Sequence, residues 1–118
     1  PTVLVDQAEL ANFHMNLSWL HQDLGQPDKA VAALHEAVTI LERLVEESPD
    51  VPGYRRDLAA TLRELAAVEP EPSDARAHLE TSAAHLRRLV KDFPDNEEFQ
   101  EQLERTEEAL PDQAPQGR

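Results

Sequence analysis

Residues 41–50, LERLVEESPD, return 45 positions later as residues 86–95, LRRLVKDFPD. The register holds without gaps on either side: Phe13 maps to Leu58, Leu17 to Leu62, Leu20 to Leu65, Ala30 to Ala75, Leu34 to Leu79, Tyr54 to Phe99 and Leu58 to Leu103. A period of this length in a chain of 118 residues leaves few folds open. Each unit is one supersecondary piece whose apolar face is too large to bury alone, and the next unit covers it.

The units are helical. Three glycines, many Ala, Leu, Glu and Arg residues and apolar spacings of three and four exclude strands and predict five helices. The first starts at Asp6, which pairs with Glu9 as a capping box. It is expected to bury Leu10, Phe13, Leu17, Leu20 and Leu24 and to end at Gly25-Gln26-Pro27. The second starts near Pro27 and carries Ala30, Leu34, Ala37, Leu41, Leu44 and Val45 on its face as far as Ser48-Pro49. The third starts near Pro52 and buries Tyr54, Leu58, Leu62 and Leu65 before residues 69–73, EPEPS, break it. The fourth runs from a Ser73 N-cap through Ala75, Leu79, Ser82, Leu86, Leu89 and Val90 to Phe93-Pro94. The fifth starts at Asp95, with Glu98 completing a capping box, and offers Phe99, Leu103 and Leu110 among many glutamates. The expected domain is 6–110, with units at about 9–53 and 54–98 and a capping helix at about 96–110. Residues 1–5 are expected to form an N-terminal tail and 111–118, PDQAPQGR, a disordered one.

Charge narrows the partners. With 24 acidic against 11 basic side chains the formal charge is −13, which repels a polyanion, so nucleic acid is not an expected partner. There is no cysteine to form a disulfide or a thiolate metal site. Apolar runs are far shorter than the roughly 20 residues that span a bilayer, and the start, PTVLVDQAEL, has no signal-peptide pattern. A soluble, cytoplasmic protein without a membrane partner is expected. A first residue that is Pro rather than Met suggests a processed product or a piece of a longer protein.

Asn16-Leu17-Ser18, Leu24-Gly25, Ala30, Leu34 and residues 37–40, AVTI, resemble the tetratricopeptide repeat, in particular its longer bacterial form with an extended second helix. The resemblance covers about residues 9–110. It implies an all-α solenoid of antiparallel helix hairpins, wound as a right-handed superhelix, with about two repeats and a capping helix. The second unit departs from the pattern, with Pro70 in place of the turn Gly, Arg63 in place of the small residue after the Leu, and Ser82 in place of the second Ala.

Little in the chain points to chemistry. His14 and His21, and His78 and His85, are each two helical turns apart, about 10.5 Å of rise, too far to share an ion without a partner helix. The five histidines therefore read as surface or boundary residues, with no metal and no cofactor expected. No GxSxG elbow, HExxH pair or phosphate-binding Gly-rich loop occurs, so no catalytic residues are assigned and the chain is not expected to be an enzyme.

Trp19, the single tryptophan, lies off the leucine seam, and its repeat equivalent is Glu64. A position that takes Glu in one unit is partly wet, so Trp19 and Met15 are expected to form an exposed apolar patch. By the resemblance, the concave face would be lined by Asn12, Met15, Trp19, Gln22 and Asp23 in the first unit and by Asp57, Ala60, Glu64 and Val68 in the second. The other reading packs Trp19 against Val3-Leu4-Val5 or against a preceding repeat. The expected function is a non-enzymatic module that holds a peptide or helix of another protein, basic and partly hydrophobic, in that face. The alternatives are self-association, for instance as a homodimer, and a regulatory piece of a larger multidomain protein.

Overall fold

The computed structural model describes residues 6–110, and the two expected tails lie outside that range. The described residues form five helices and no strand: α1 (Gln7–Asp23), α2 (Pro27–Glu47), α3 (Pro52–Val68), α4 (Pro72–Asp92) and α5 (Glu97–Ala109). The sequence period carries over into the element boundaries, because α1 and α3, α2 and α4, and α3 and α5 each start 45 residues apart. Each helix packs on the next in the chain. Joining loops of three or four residues make consecutive helices run in opposite directions.

Capping follows local chemistry, with two corrections to the sequence reading. The Asp6 carboxylate accepts from Ala8 N–H and Glu9 N–H, as expected of an N-cap. Helix α4 begins at Pro72 with Glu71 at its N-cap, not Ser73, because proline's fixed φ suits the first helical position and draws the start one residue earlier. Helix α5 is capped by Asn96 rather than Asp95, its side-chain oxygen accepting from Phe99 N–H at 2.9 Å.

The two hairpin turns are built differently. In the first, Gly25 takes φ 69°, a left-handed conformation that glycine adopts without strain. Gln26 N–H then bonds His21 C=O and Gly25 N–H bonds Gln22 C=O, the Schellman pattern that satisfies the end of α1. The second turn has no residue of positive φ, and Glu69, Pro70 and Glu71 carry the chain from α3 to α4 with extended backbone at Glu69 and Glu71. The buried Ser82 hydroxyl donates to Ala59 C=O at 2.8 Å, so a polar group in place of alanine ties α4 to α3.

Two apolar clusters hold the helices. The first gathers Ala11 of α1, Leu34, Ala37, Val38, Leu41 and Val45 of α2, and Leu58, Leu62 and Leu65 of α3. The second joins Ala59 of α3, Leu86 and Leu89 of α4 and Phe99 of α5. Alanines at 30, 33 and 37 are all buried, and their small size lets α1 and α2 approach closely.

The expected seam of α1 is buried only in part: Leu10 packs against the first cluster and Leu17 is half-buried. Phe13, Leu20 and Leu24 are 57 %, 51 % and 61 % exposed, and the fully buried side of α1 consists of Ala11 and Ser18. The period supplies the reason. Leu58 and Leu65, the equivalents of Phe13 and Leu20, are 1 % and 0 % exposed because α2 lies against them. No described element lies on the corresponding side of α1, which leaves Phe13, Leu20 and Leu24 uncovered.

Candidate functional site

Helices α1 and α3 occupy equivalent places in the two units, and one bond joins them directly. Trp19 Nε1–H donates to Glu64 Oε1 at 2.6 Å, so two residues 45 apart in sequence, and equivalent by the repeat, meet on a shared surface. Trp19 remains 47 % exposed there. Hydrogen-bonding its N–H to a carboxylate fixes the indole plane while leaving much of its apolar body open.

Glu64 also lines an open cavity of about 390 Å³, together with Arg63, Ala66, Ala67, Leu79, Arg105 and Ala109. Its lining sets three alanines and Leu79 beside two guanidinium groups and the Glu64 carboxylate. Burial, and next the charge of Arg105, hold Arg63 below the usual arginine range, and nearby Glu64 opposes the shift. Arg63 Nε is buried with no hydrogen-bond partner among the described residues. A binding surface that presents such a donor favours a ligand with an acceptor for it.

The other residues assigned to the concave face are distributed unevenly. Asp57 and Ala60 line a smaller cleft of about 140 Å³ with Arg56, Arg63, Glu98 and Gln102. Asn12, Gln22 and Asp23 are exposed, and Gln22 Nε2 donates to the buried Ser18 hydroxyl at 3.2 Å. Met15 and Val68 instead pack against the first apolar cluster, where they are partly buried. Arg63 and Arg105 went unassigned in the sequence. The signal for Arg63 was its place at the equivalent of Ser18, a position with no exposure in the first unit, where a long side chain does not fit inside.

The structure also gathers three residues that the sequence kept apart. Glu69 Oε2 lies 2.9 Å from His78 Nε2 and 3.7 Å from His35 Nε2. They come from the end of α3, from α4 and from α2, so a search for pairs on a single helix passes over them.

On another face, His85 lines an open cavity of about 460 Å³ with Glu42, Val45, Glu46 and Leu58. Burial, and next the Arg55 charge, push its imidazole below its ordinary value of 6.5. Arg55 Nη1 is 3.0 Å from His85 Nδ1, and a guanidinium only donates, so Nδ1 accepts and the neutral ring carries its proton on Nε2. The unfolded chain then binds this proton at higher pH than the fold does. The stability is fully present above the ordinary value of 6.5 and is lost as pH falls from there through the lowered folded value. The midpoint of thermal unfolding should therefore drop between about pH 7.5 and about pH 5.5, and drop less in His85→Gln. An equal drop in the variant would assign the effect to other groups.

No helix among the described residues is long and apolar enough to cross a membrane. No family model, no curated protein and no solved structure matches the chain.

Proposed function

We propose that the chain is a non-enzymatic interaction module, a short tetratricopeptide-like solenoid that holds a peptide or helix of another protein against the face made by α1 and α3. The observation that carries this reading is the Trp19–Glu64 bond at 2.6 Å, which joins an exposed aromatic to the rim of an apolar cavity. An aromatic anchor beside a pocket lined in part by Ala66, Ala67 and Leu79 suits a large apolar side chain of the partner. Asp23, Asp57 and Glu64 suit neighbouring basic residues, and the formal charge of −13 would speed the encounter. Arg63 and Arg105 are the exception on this surface, and they suit a backbone or side-chain oxygen of the same segment. The regular succession of helices, the Gly25 turn and the buried alanines are what support the solenoid, and its right-handed winding is what the tetratricopeptide resemblance implies.

Selection of a displayed peptide library on the immobilised chain tests the function. Enriched peptides should share a large apolar residue flanked by Lys or Arg, and their binding should weaken as salt rises. Enrichment of acidic peptides, or none, counts against the reading.

The bare stripe of Phe13, Leu20 and Leu24 favours a second reading, self-association through α1, because so much adjacent apolar surface on one helix is unusual for a monomer. Light scattering at micromolar concentration should then give a dimer, and Leu20→Glu should return it to a monomer. A wild-type monomer removes this reading and leaves the first untouched.

A further inference from the structure

Glu69 occupies an unfavourable place for a carboxylate. It caps the C-terminus of α3, where the exposed carbonyls of a helix carry partial negative charge and repel an anion. Its side chain is only 11 % exposed. No lysine or arginine among the described residues comes within ion-pair distance of it, and the side chains beside its carboxylate are the imidazoles of His35 and His78.

We propose that His35, Glu69 and His78 form a binding site for one divalent cation of the zinc type. One donor atom from each lies within 4.8 Å of the others. In tetrahedral zinc sites with bonds of about 2.0–2.1 Å, donor atoms stand roughly 3.4 Å apart. The spacings of 2.9 Å and 3.7 Å to Glu69 Oε2 fall on either side of that value, so small side-chain rotations close the set around an ion. The two rings are inclined at 72° with centroids 5.9 Å apart, and so do not block one another by stacking face to face. Two imidazole nitrogens and one carboxylate oxygen, with water in the fourth position, match the ligand preferences of zinc. In the metal-free chain His78 Nε2 and Glu69 Oε2 share a hydrogen bond. Binding requires the His78 proton to sit on Nδ1, which frees the Nε2 lone pair for the ion.

The scaffold does not explain the cluster. The repeat equivalents of His35 and His78 are Glu80 and Ala33, so the repeat itself does not call for histidine at either place, and this is the one group of its kind among the described residues. A bound ion would tie α2 to the α3–α4 turn, and with it the first hairpin to the second.

The test uses the chain without a polyhistidine tag, stripped with a chelator and titrated with zinc sulfate by calorimetry, with thermal unfolding followed in parallel. One zinc per chain should bind. At a hundredfold excess over Kd the unfolding midpoint should rise by roughly 5–15 °C. Cobalt(II) in place of zinc should give the visible absorption of a four-coordinate centre. Glu69→Gln and His78→Ala should each weaken binding at least ~10-fold, whereas His14→Ala leaves it unchanged. If circular dichroism shows that His78→Ala has unfolded, His35→Ala at the exposed ligand takes its place. Failure to bind at about 100 µM zinc, or equal affinity in Glu69→Gln, overturns the site, since surface carboxylates would then account for any uptake.

Discussion

Replacing Leu34 by Ala is expected to cost the fold about 3–5 kcal/mol, much of the stability of a domain this size. Leu34 has no exposed surface and lies within the cluster that α1, α2 and α3 share. Its removal leaves a void within that cluster, where closely buried neighbours have little freedom to collapse. The same change at Leu79, its equivalent one repeat later, should cost much less, roughly 1–2 kcal/mol, because Leu79 is half-buried and borders the open cavity beside Arg63. Urea unfolding measures both as shifts in midpoint at unchanged slope. Equal losses would mean that the second hairpin is as tightly packed as the first. They would also remove the physical basis for treating that cavity as a place for a partner's side chain.

The contrast between Leu34 and Leu79 shows where sequence periodicity informs and where it does not. The period of 45 carried the helix starts, since Pro27 and Pro72 open α2 and α4 by the same backbone logic. It made Phe13 the equivalent of Leu58 without saying whether anything lies over Phe13. Burial depends on neighbours, and α1 is covered on one side alone, so the leucine spacing holds for Leu10 and in part for Leu17 but fails for Phe13, Leu20 and Leu24. Ala11 and Ser18 gave no hydropathy signal strong enough to mark the inner face. Trp19 and Glu64 were legible as a pair of equivalents, whereas the bond between them depends on the offset of α1 against α3. His35, Glu69 and His78 lie on three elements, and spacing rules address partners on one helix at a time.

Trp19→Ala is expected to weaken binding of a selected peptide by about 2 kcal/mol or more, some thirtyfold, with far-ultraviolet circular dichroism unchanged. The helix itself should not depend on the indole, which is 47 % exposed and stands outside both apolar clusters. The partner would lose both the ring face and the rigidity that the bond to Glu64 gives it. Two further changes separate these contributions. Trp19→Phe keeps an aromatic face but has no N–H to donate, so it should bind with intermediate affinity. Glu64→Gln keeps an acceptor for the indole while removing a charge, so it should chiefly slow association with a basic peptide and flatten its salt dependence. Because Trp19 is the single tryptophan, its fluorescence reports the site directly and should shift to the blue when the peptide covers it. If Trp19→Ala binds as well as the wild type, the partner does not touch α1 at this point. The face between α1 and α3 would then lose its claim, and the uncovered stripe of Phe13 and Leu20 on the same helix would be the surface left to account for.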